Sequence, residues 1–378
     1  MRILLLHDPY LPVSNGAVGG EDNVAKLEIE TISKMGHDVI DSRSIDYGIT
    51  KKLNQLRAQT IGSNPNVIEM IESTKPDVIH THNLNQRSGY SWMKQTKTPI
   101  VSSVHNYRLF CPSSIAYRSG NHCLECRDHG AIKAIENKCD GIRGSLNASR
   151  HLIFQRANPQ INIPVMFLIS SNLMESVLEP IIPKNKFRLL RNPGTIPTQT
   201  TSAKVIRSGW IFAGRLTEEK GILDLIVNWP SEESLDIAGD GPLRDSIAEL
   251  ISGKSNIRMI GTYPPGENGI FLKYEGLIFP SKWFEGSPLV TMECLATGTP
   301  IICTDQSGAS EQVEDSCGGV VIRGPISKNK LVEAQASIRE KFDTYSQNAV
   351  LAISGQFSVE MWGRNLEGFL QEATQLTP

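Results

Sequence analysis

Phe279-Pro280-Ser281-Lys282-Trp283-Phe284-Glu285-Gly286-Ser287-Pro288-Leu289-Val290-Thr291-Met292-Glu293 joins a short apolar run, Gly276 to Phe279, to the opening of a helix. The run reads as a buried strand, Ser287 as an N-cap, and Pro288 as a first-turn residue whose missing N–H is not needed. The first free N–H groups of such a helix and the positive end of its dipole favour an anion, of which a diphosphate is the obvious biological example. Glu285 and Glu293 stand eight positions apart. From a helix start at Ser287, Glu293 lies about 8–9 Å further along the axis at ~1.5 Å per residue. The two carboxylates would then address different parts of an extended ligand such as a nucleotide-sugar, one the sugar and the other the ribose. Glu293 shares an arc with Leu289 and Ala296, the side a helix buries, where an acid needs a partner. Read alone, the same pattern fits a partly exposed surface acid.

Working outward, short apolar runs recur between helical segments. Arg2–Leu6, Asp77–His80, Pro99–Val104 and Val165–Ile169 form one series, and Trp210–Ala213, Leu235–Ala238, Ile257–Ile260, Leu277–Phe279 and Ile301–Cys303 a second. This rhythm predicts two doubly wound parallel sheets. A length of 378 residues also exceeds what one core usually supports. The polar stretch after Arg191-Asn192-Pro193-Gly194-Thr195-Ile196-Pro197, through Thr198 to Lys204, reads as the linker. We therefore expect a first domain over 1–195 with an insertion at about 106–145, a second over 196–355, and a terminal amphipathic helix within 356–378 with Trp362, Leu366, Phe369 and Leu370 on one stripe. Charge divides unevenly: residues through Thr195 carry 23 Lys+Arg against 17 Asp+Glu and the remainder 15 against 23, so the halves differ as +6 and −8. A basic first half suits an anionic acceptor or an anionic membrane face, and equally suits solubility patterning.

Further motifs flank the opening stretch: Phe212-Ala213-Gly214-Arg215-Leu216-Thr217-Glu218-Glu219-Lys220-Gly221 before it, and Thr297-Gly298-Thr299-Pro300 and Gly308-Ala309-Ser310-Glu311-Gln312-Val313 after it. In this order the set resembles the donor-binding half of the retaining glycosyltransferases of family 4, over most of the C-terminal half of the chain. The resemblance implies the GT-B architecture, two Rossmann-like doubly wound α/β domains facing a central cleft. It also implies that Arg215 and Lys220 bind the donor diphosphate, that Glu285 contacts the donor sugar, and that Glu293 takes the ribose hydroxyls. Gly214, Gly286, Ser287, Pro288 and Leu289 would complete the donor site. An Arg fork meets two phosphate oxygens at once, while a Lys acts as a point charge.

On the acceptor side, Val18-Gly19-Gly20-Glu21 opens a periodic helix through Val24, Leu27, Ile32 and Met35, and this order too is similar to family 4. Gly19 and Gly20 would let backbone amides approach a phosphate or the acceptor, or would merely be a flexible turn. His105 follows a strand at the edge where open parallel sheets place ligands. It matches the family's strand-end histidine, which supports the donor sugar. The family's next residue is acidic, whereas here it is Asn106, which cannot be a carboxylate base. His80 and His82 also end a strand, and with no carboxylate or third imidazole nearby in sequence they read as structural or acceptor-lining groups rather than a metal pair. Cys111, Cys123, Cys126 and Cys139 lie in a segment that resembles an insertion in one group of family 4 enzymes. Cys123-Leu124-Glu125-Cys126 has the gap of a zinc knuckle, so a structural zinc and a set of reduced thiols both stay open. Cys294, Cys303 and Cys317 read as small core residues.

The resulting expectation is transfer of a sugar from a UDP- or GDP-sugar to a hydroxyl of a saccharide, lipid-linked or small-molecule acceptor, in envelope polysaccharide or glycoconjugate synthesis. The resemblance supplies retention of configuration. Glu285, His105, Arg215 and Lys220 would carry the chemistry without a catalytic metal or other required cofactor. A sugar-nucleotide epimerase or phosphorylase of the same architecture is the alternative. A dinucleotide-binding regulator is weaker, since no Gly-x-Gly-x-x-Gly follows Leu4–Leu6, and no nucleic-acid motif is present. No apolar stretch approaches the ~20 residues of a membrane-spanning helix and no secretory signal opens the chain. A cytoplasmic location is expected, with peripheral contact at the inner membrane face.

Overall fold

The computed structural model describes residues 1–7, 20–42, 64–82, 88–139, 141–142, 144, 146, 159–195, 206–263 and 268–376. Its strands are β1 (Arg2–His7), β2 (Asp38–Asp41), β3 (Val78–His82), β4 (Ile100–Val104), β5 (Tyr117–Arg118), β6 (Asn121–His122), β7 (Met166–Ile169), β8 (Phe187–Leu189), β9 (Trp210–Ala213), β10 (Leu235–Ala238), β11 (Ile257–Gly261), β12 (Gly276–Phe279), β13 (Ile301–Thr304) and β14 (Gly319–Ile322). Four helices matter below: α1 (Gly20–Lys34), α2 (Leu289–Ala296), α3 (Ala309–Ser316) and α4 (Val359–Thr374).

Among the described residues the first sheet runs β2-β1-β3-β4-β7-β8 and the second β11-β10-β9-β12-β13-β14. Every pairing in both sheets is parallel. The strand order reverses direction between β1 and β3 in the first sheet and between β9 and β12 in the second. Open sheets of this kind bind ligands beyond the carboxyl ends of the strands at such reversals. Those ends carry His7 and His82 in the first sheet, and Gly214 and Pro280 follow them in the second.

The second sheet shows why its strands read as continuous apolar runs. Ile211, Ala213, Leu277, Phe279, Ile301 and Cys303 pack on one side with Met292, Leu295 and Val313. Trp210, Phe212, Leu235, Ile237, Ile278 and Ile302 pack on the other with Ile222, Leu225 and Leu331. Alternate residues face opposite sides and both sides are covered, so no polar phase appears in the sequence. The first sheet has a matching core of Leu4, Leu6, Ile79 and Ile100 against Val67, Met70, Trp92 and Met93.

By its internal contacts the chain divides into one unit of residues 1–116, 123–190 and 363–378 and another of 117–122 and 191–362. The sequence placed its divisions at 195 and 355 and kept the whole insertion in the first domain; the contacts divide at 190 and 362, and the β5–β6 hairpin groups with the second unit. Within the first unit, a Cβ at Gly363 would lie 2.6 Å from Thr31 of α1, and His37 Nε2 is 2.7 Å from Glu367 Oε1 of α4. On the α4 stripe Trp362, Leu366 and Leu370 are buried and Phe369 half-buried. The linker assigned to 198–204 lies outside the described residues. None of the described helices is long and apolar enough to cross a membrane.

Candidate active site

In the second unit the loops after β9 and β12 are tied together by main-chain contacts. Lys282 N donates to Glu219 O at 2.8 Å, and Gly221 (φ 72°) is so close to Pro280 that a Cβ would lie 2.1 Å from its carbonyl oxygen. Only glycine satisfies both the left-handed backbone and that approach. The consequence is that Lys220 reaches Glu285: Nζ lies 2.5 Å from Oε1. Ser281 Oγ and Trp283 Nε1 donate to the other oxygen at 3.2 and 3.1 Å. The ammonium also stands 5.5 Å from the Phe279 ring centre and 5.7 Å from that of Trp283, a cation–π setting. Both members of the pair are largely buried, with side-chain exposures of 10% and 13%, so truncating either leaves the other charge uncompensated.

The helix after this loop starts one residue later than the sequence suggests. Pro288, not Ser287, is the N-cap of α2, and no side chain caps it. The Ser287 hydroxyl instead accepts from Asn192 N at 3.1 Å and from Gln312 Nε2 at 2.7 Å. These tertiary partners override its local capping tendency. Gly308, at the start of α3, donates its N–H to the Glu285 carbonyl at 2.6 Å, and a Cβ there would lie 1.6 Å from Gly286 O.

Glu293 on α2 is clear of the Lys220 pair and accepts from the Tyr263 hydroxyl at 3.0 Å. Burial raises its carboxyl above the usual range, and the Tyr263 hydrogen bond offsets only part of this. Arg215 is mostly exposed at 62% of its side chain and loosely paired with Glu219 at 3.7 Å. Of the donor residues read from the sequence, the fold therefore joins Lys220 to Glu285 directly and leaves Arg215 exposed and paired with Glu219. Sequence reasoning missed Ser281, Trp283 and Tyr263. It also missed His122, whose ring from β6 lies 3.6 Å from that of Phe284, next to Glu285.

The first unit gathers titratable groups. Gly19 lies outside the described residues, and Gly20 is the first residue of α1. Asn106 Nδ2 donates to Glu21 Oε1 at 2.9 Å, so α1 supplies an acid where the motif at 106 lacks one. Burial lifts Glu21 to about 7, with Arg108 and Asn106 pulling the other way. His80 and His82 have no carboxylate or third imidazole nearby in sequence, but the fold brings both to them. Glu28 lies 2.5 Å from His80 and 2.9 Å from His82, which is 2.8 Å from His105. The clue was in the sequence: Glu28 sits on the buried α1 stripe between Val24 and Ile32, where an acid is costly without partners. Glu28, His80 and His82 have metal-ligand types within 4.8 Å of one another, although each of those donor atoms is already hydrogen-bonded.

Cys111, Cys123, Cys126, Cys294, Cys303 and Cys317 are free thiols. Cys111 and Cys126 are buried and Cys123 and Cys139 half-buried. Burial, with Cys111, Cys139 and Cys123 close enough to act on it, pushes the Cys126 thiol up to about 12. Cys294 and Cys303 are core residues, but Cys317 is exposed at the left-handed end of α3.

The paired sheets define the class: the chain has the GT-B fold, two Rossmann-like α/β units. Along 98% of its length it superposes on all of Anabaena Alr3699/HepE, solved in complex with UDP, with a TM-score of 0.66 at 15% identity. Residues 209–349 match the family described as Glycosyl transferases group 1. Among curated relatives, an uncharacterized 42.6 kDa protein in the cps region of Klebsiella pneumoniae is 23% identical over 249 residues, 64% of this chain and 61% of that protein. A putative teichuronic acid biosynthesis glycosyltransferase, TuaC, of Bacillus subtilis (strain 168) is 32% identical over 103 residues, 26% of this chain and 25% of that one. The chain thus spans less than two thirds of the length of either relative.

Proposed function

We propose that the chain is a retaining glycosyltransferase that moves a sugar from a nucleoside-diphosphate donor, a UDP- or GDP-sugar, to a hydroxyl acceptor in cell-envelope polysaccharide synthesis. The observation that carries this reading is the Lys220–Glu285 pair at 2.5 Å, beyond the carboxyl ends of β9 and β12 where the strand order reverses. Lys220 has three N–H donors, so it can hold Glu285 and still meet a phosphate oxygen. Arg215, exposed and weakly paired, brings a second cation to the departing diphosphate, the largest electrostatic demand of the transition state. Glu285 orients the donor sugar, Glu293 with Tyr263 clasps the ribose, and His105 supports the sugar. The cps and teichuronic acid settings of the relatives favour a saccharide or lipid-linked acceptor, and peripheral membrane contact follows if that acceptor is lipid-linked. With two cations available, no catalytic metal is needed. A structural zinc at Cys111, Cys123, Cys126 and Cys139 is proposed from the zinc-knuckle gap of Cys123 and Cys126, with the other three thiols close enough to act on Cys126. About one zinc per chain in protein purified without chelator is the expected result.

The test is a thermal-shift screen of UDP, GDP, ADP and their sugars, followed by donor turnover with a matched acceptor and the anomeric configuration of the product. Stabilisation by one nucleotide and its sugar is expected. Conversion of donor without acceptor would indicate an epimerase, and a requirement for free phosphate a phosphorylase. Near wild-type turnover in both Lys220→Ala and Glu285→Ala would refute the residue assignments.

A further inference from the structure

An unbroken hydrogen-bonded chain in the first unit ends at His105. Glu28 Oε1 lies 2.5 Å from His80 Nδ1, and Oε2 lies 2.9 Å from His82 Nε2. His80 Nε2 is 2.9 Å from Ser103 Oγ, and His82 Nδ1 is 2.8 Å from His105 Nε2. Glu28, His80 and His82 are no more than 2% exposed, so water does not compete for these positions.

The protons in this chain can be assigned one by one. Burial by itself would raise the Glu28 carboxyl, but its pairing with His80 and the hydrogen bonds from both His80 and His82 hold it well below the usual carboxylate range. An ionised carboxylate only accepts, so His80 Nδ1 and His82 Nε2 both donate to it. Burial lowers His82 to about 4, against the pull of Glu28, which leaves a neutral ring with a single N–H already given to Glu28. His82 Nδ1 is therefore an acceptor, and the group facing it, His105 Nε2, must be the donor. Burial first, then His82 and its neighbours, keep His105 well below its ordinary value too. A neutral imidazole protonated at Nε2 has a bare lone pair at Nδ1. Ser103 closes the other branch, since its hydroxyl can donate to or accept from His80 Nε2.

We propose that Glu28, acting through His82, fixes His105 in the Nε2–H tautomer, so that its Nδ1 accepts a hydrogen bond from a sugar hydroxyl. Glu28 and His82 are positioning residues, and the inference rests on the reading of His105 as a sugar contact. The isolated pair His82–His105 would be free to exchange tautomers by moving the shared proton and both outer ones. The buried carboxylate removes that freedom, because the alternative tautomer would point a ring lone pair at an anion. The dependence runs from α1 through β3 to the residue after β4, so three separate elements set one proton.

Long-range proton–nitrogen correlation spectra of protein labelled with nitrogen-15 histidine read the tautomers directly, with His105→Asn assigning the key signals. Near neutral pH both His82 and His105 should be neutral and protonated at Nε2. A proton at Nδ1 of His105, a charged His105, or a stoichiometric metal that persists once the four cysteines of the insertion are replaced by serine would each overturn the proposal. Glu28→Gln should give His105 as a mixture of tautomers and lower donor turnover by about tenfold or more, with the thermal shift by UDP retained. If Glu28→Gln folds and changes neither tautomer nor turnover, the relay is wrong; if it does not fold, the wild-type spectrum decides. Absence of any sugar transfer beside the expected tautomers would remove the enzyme reading and leave the proton assignment standing.

Discussion

The carboxyl ends of the two sheets carry opposite kinds of chemistry. Beyond β9 and β12 stand the Lys220–Glu285 ion pair and Arg215, in loops positioned by main-chain contacts at Gly221 and Gly308. Beyond β1, β3 and β4 stand groups whose protonation is decided by burial and by one another: Glu21, Glu28, His82 and His105. A site of fixed charge suits a ligand whose charge is itself fixed, as a diphosphate's nearly is. A site of buried imidazoles and carboxylates suits hydroxyls, which need a donor or an acceptor at a definite atom. The contrast teaches that two sheets of one topology class carry unlike chemistry because of the residues at their carboxyl ends, not because of their cores.

Several substitutions break or sharpen this contrast. Lys220→Ala should have the largest effect, a fall in donor turnover on the order of 10²–10³, as when a preorganised transition-state donor is removed. Nucleotide-induced stabilisation should shrink with it, and turnover within twofold of wild type would end the fixed-charge view of this edge. Next is Gly308→Ala, whose new methyl would meet Gly286 O. Overpacking against main chain should cost roughly 1–3 kcal/mol, read by denaturant unfolding, with donor turnover falling as the Glu285 loop shifts. Glu293→Gln should be milder, raising the KM for the donor about tenfold with kcat little changed, the signature of lost ground-state binding. A kcat effect without a KM effect would move Glu293 from the ribose to the reacting end.

The smallest effect tests the titratable edge. Glu21 is raised to about 7 in the folded chain, above an unfolded value near 4.3. Folding therefore favours its protonated form. Its contribution is fully present below the unfolded value and is lost as pH rises toward about 7. Glu21→Gln, which stays neutral, should flatten the pH dependence of the melting temperature across that window and raise it by a few degrees above the window. An unchanged slope would show that Glu21 is not held neutral.

Much of this was legible locally. The strands buried on both faces, such as Trp210–Ala213 and Ile301–Cys303, appeared as apolar runs, and α4 as a stripe. In the two six-stranded sheets the strands not read were β2, β8 and β14, which are edge strands with mixed exposure. An edge strand covers less core and so shows a shorter apolar signal. Ser287 was misread because a capping preference is worth only about 1 kcal/mol and two tertiary hydrogen bonds compete for the same hydroxyl.

By itself the sequence determined the order of strands and helices, the loops at their carboxyl ends, and the residue types that those loops present. Periodicity of side chains and the special backbone needs of Gly and Pro are properties of neighbours in the chain, so one strand of text contains them. Tertiary structure alone decided that Lys220 meets Glu285 across 65 positions and that Glu28 meets His80 and His82 across 52 and 54. Those meetings depend on which strands lie side by side and on which groups are shut away from water. Charge state and proton position follow from that burial, and no local pattern encodes them.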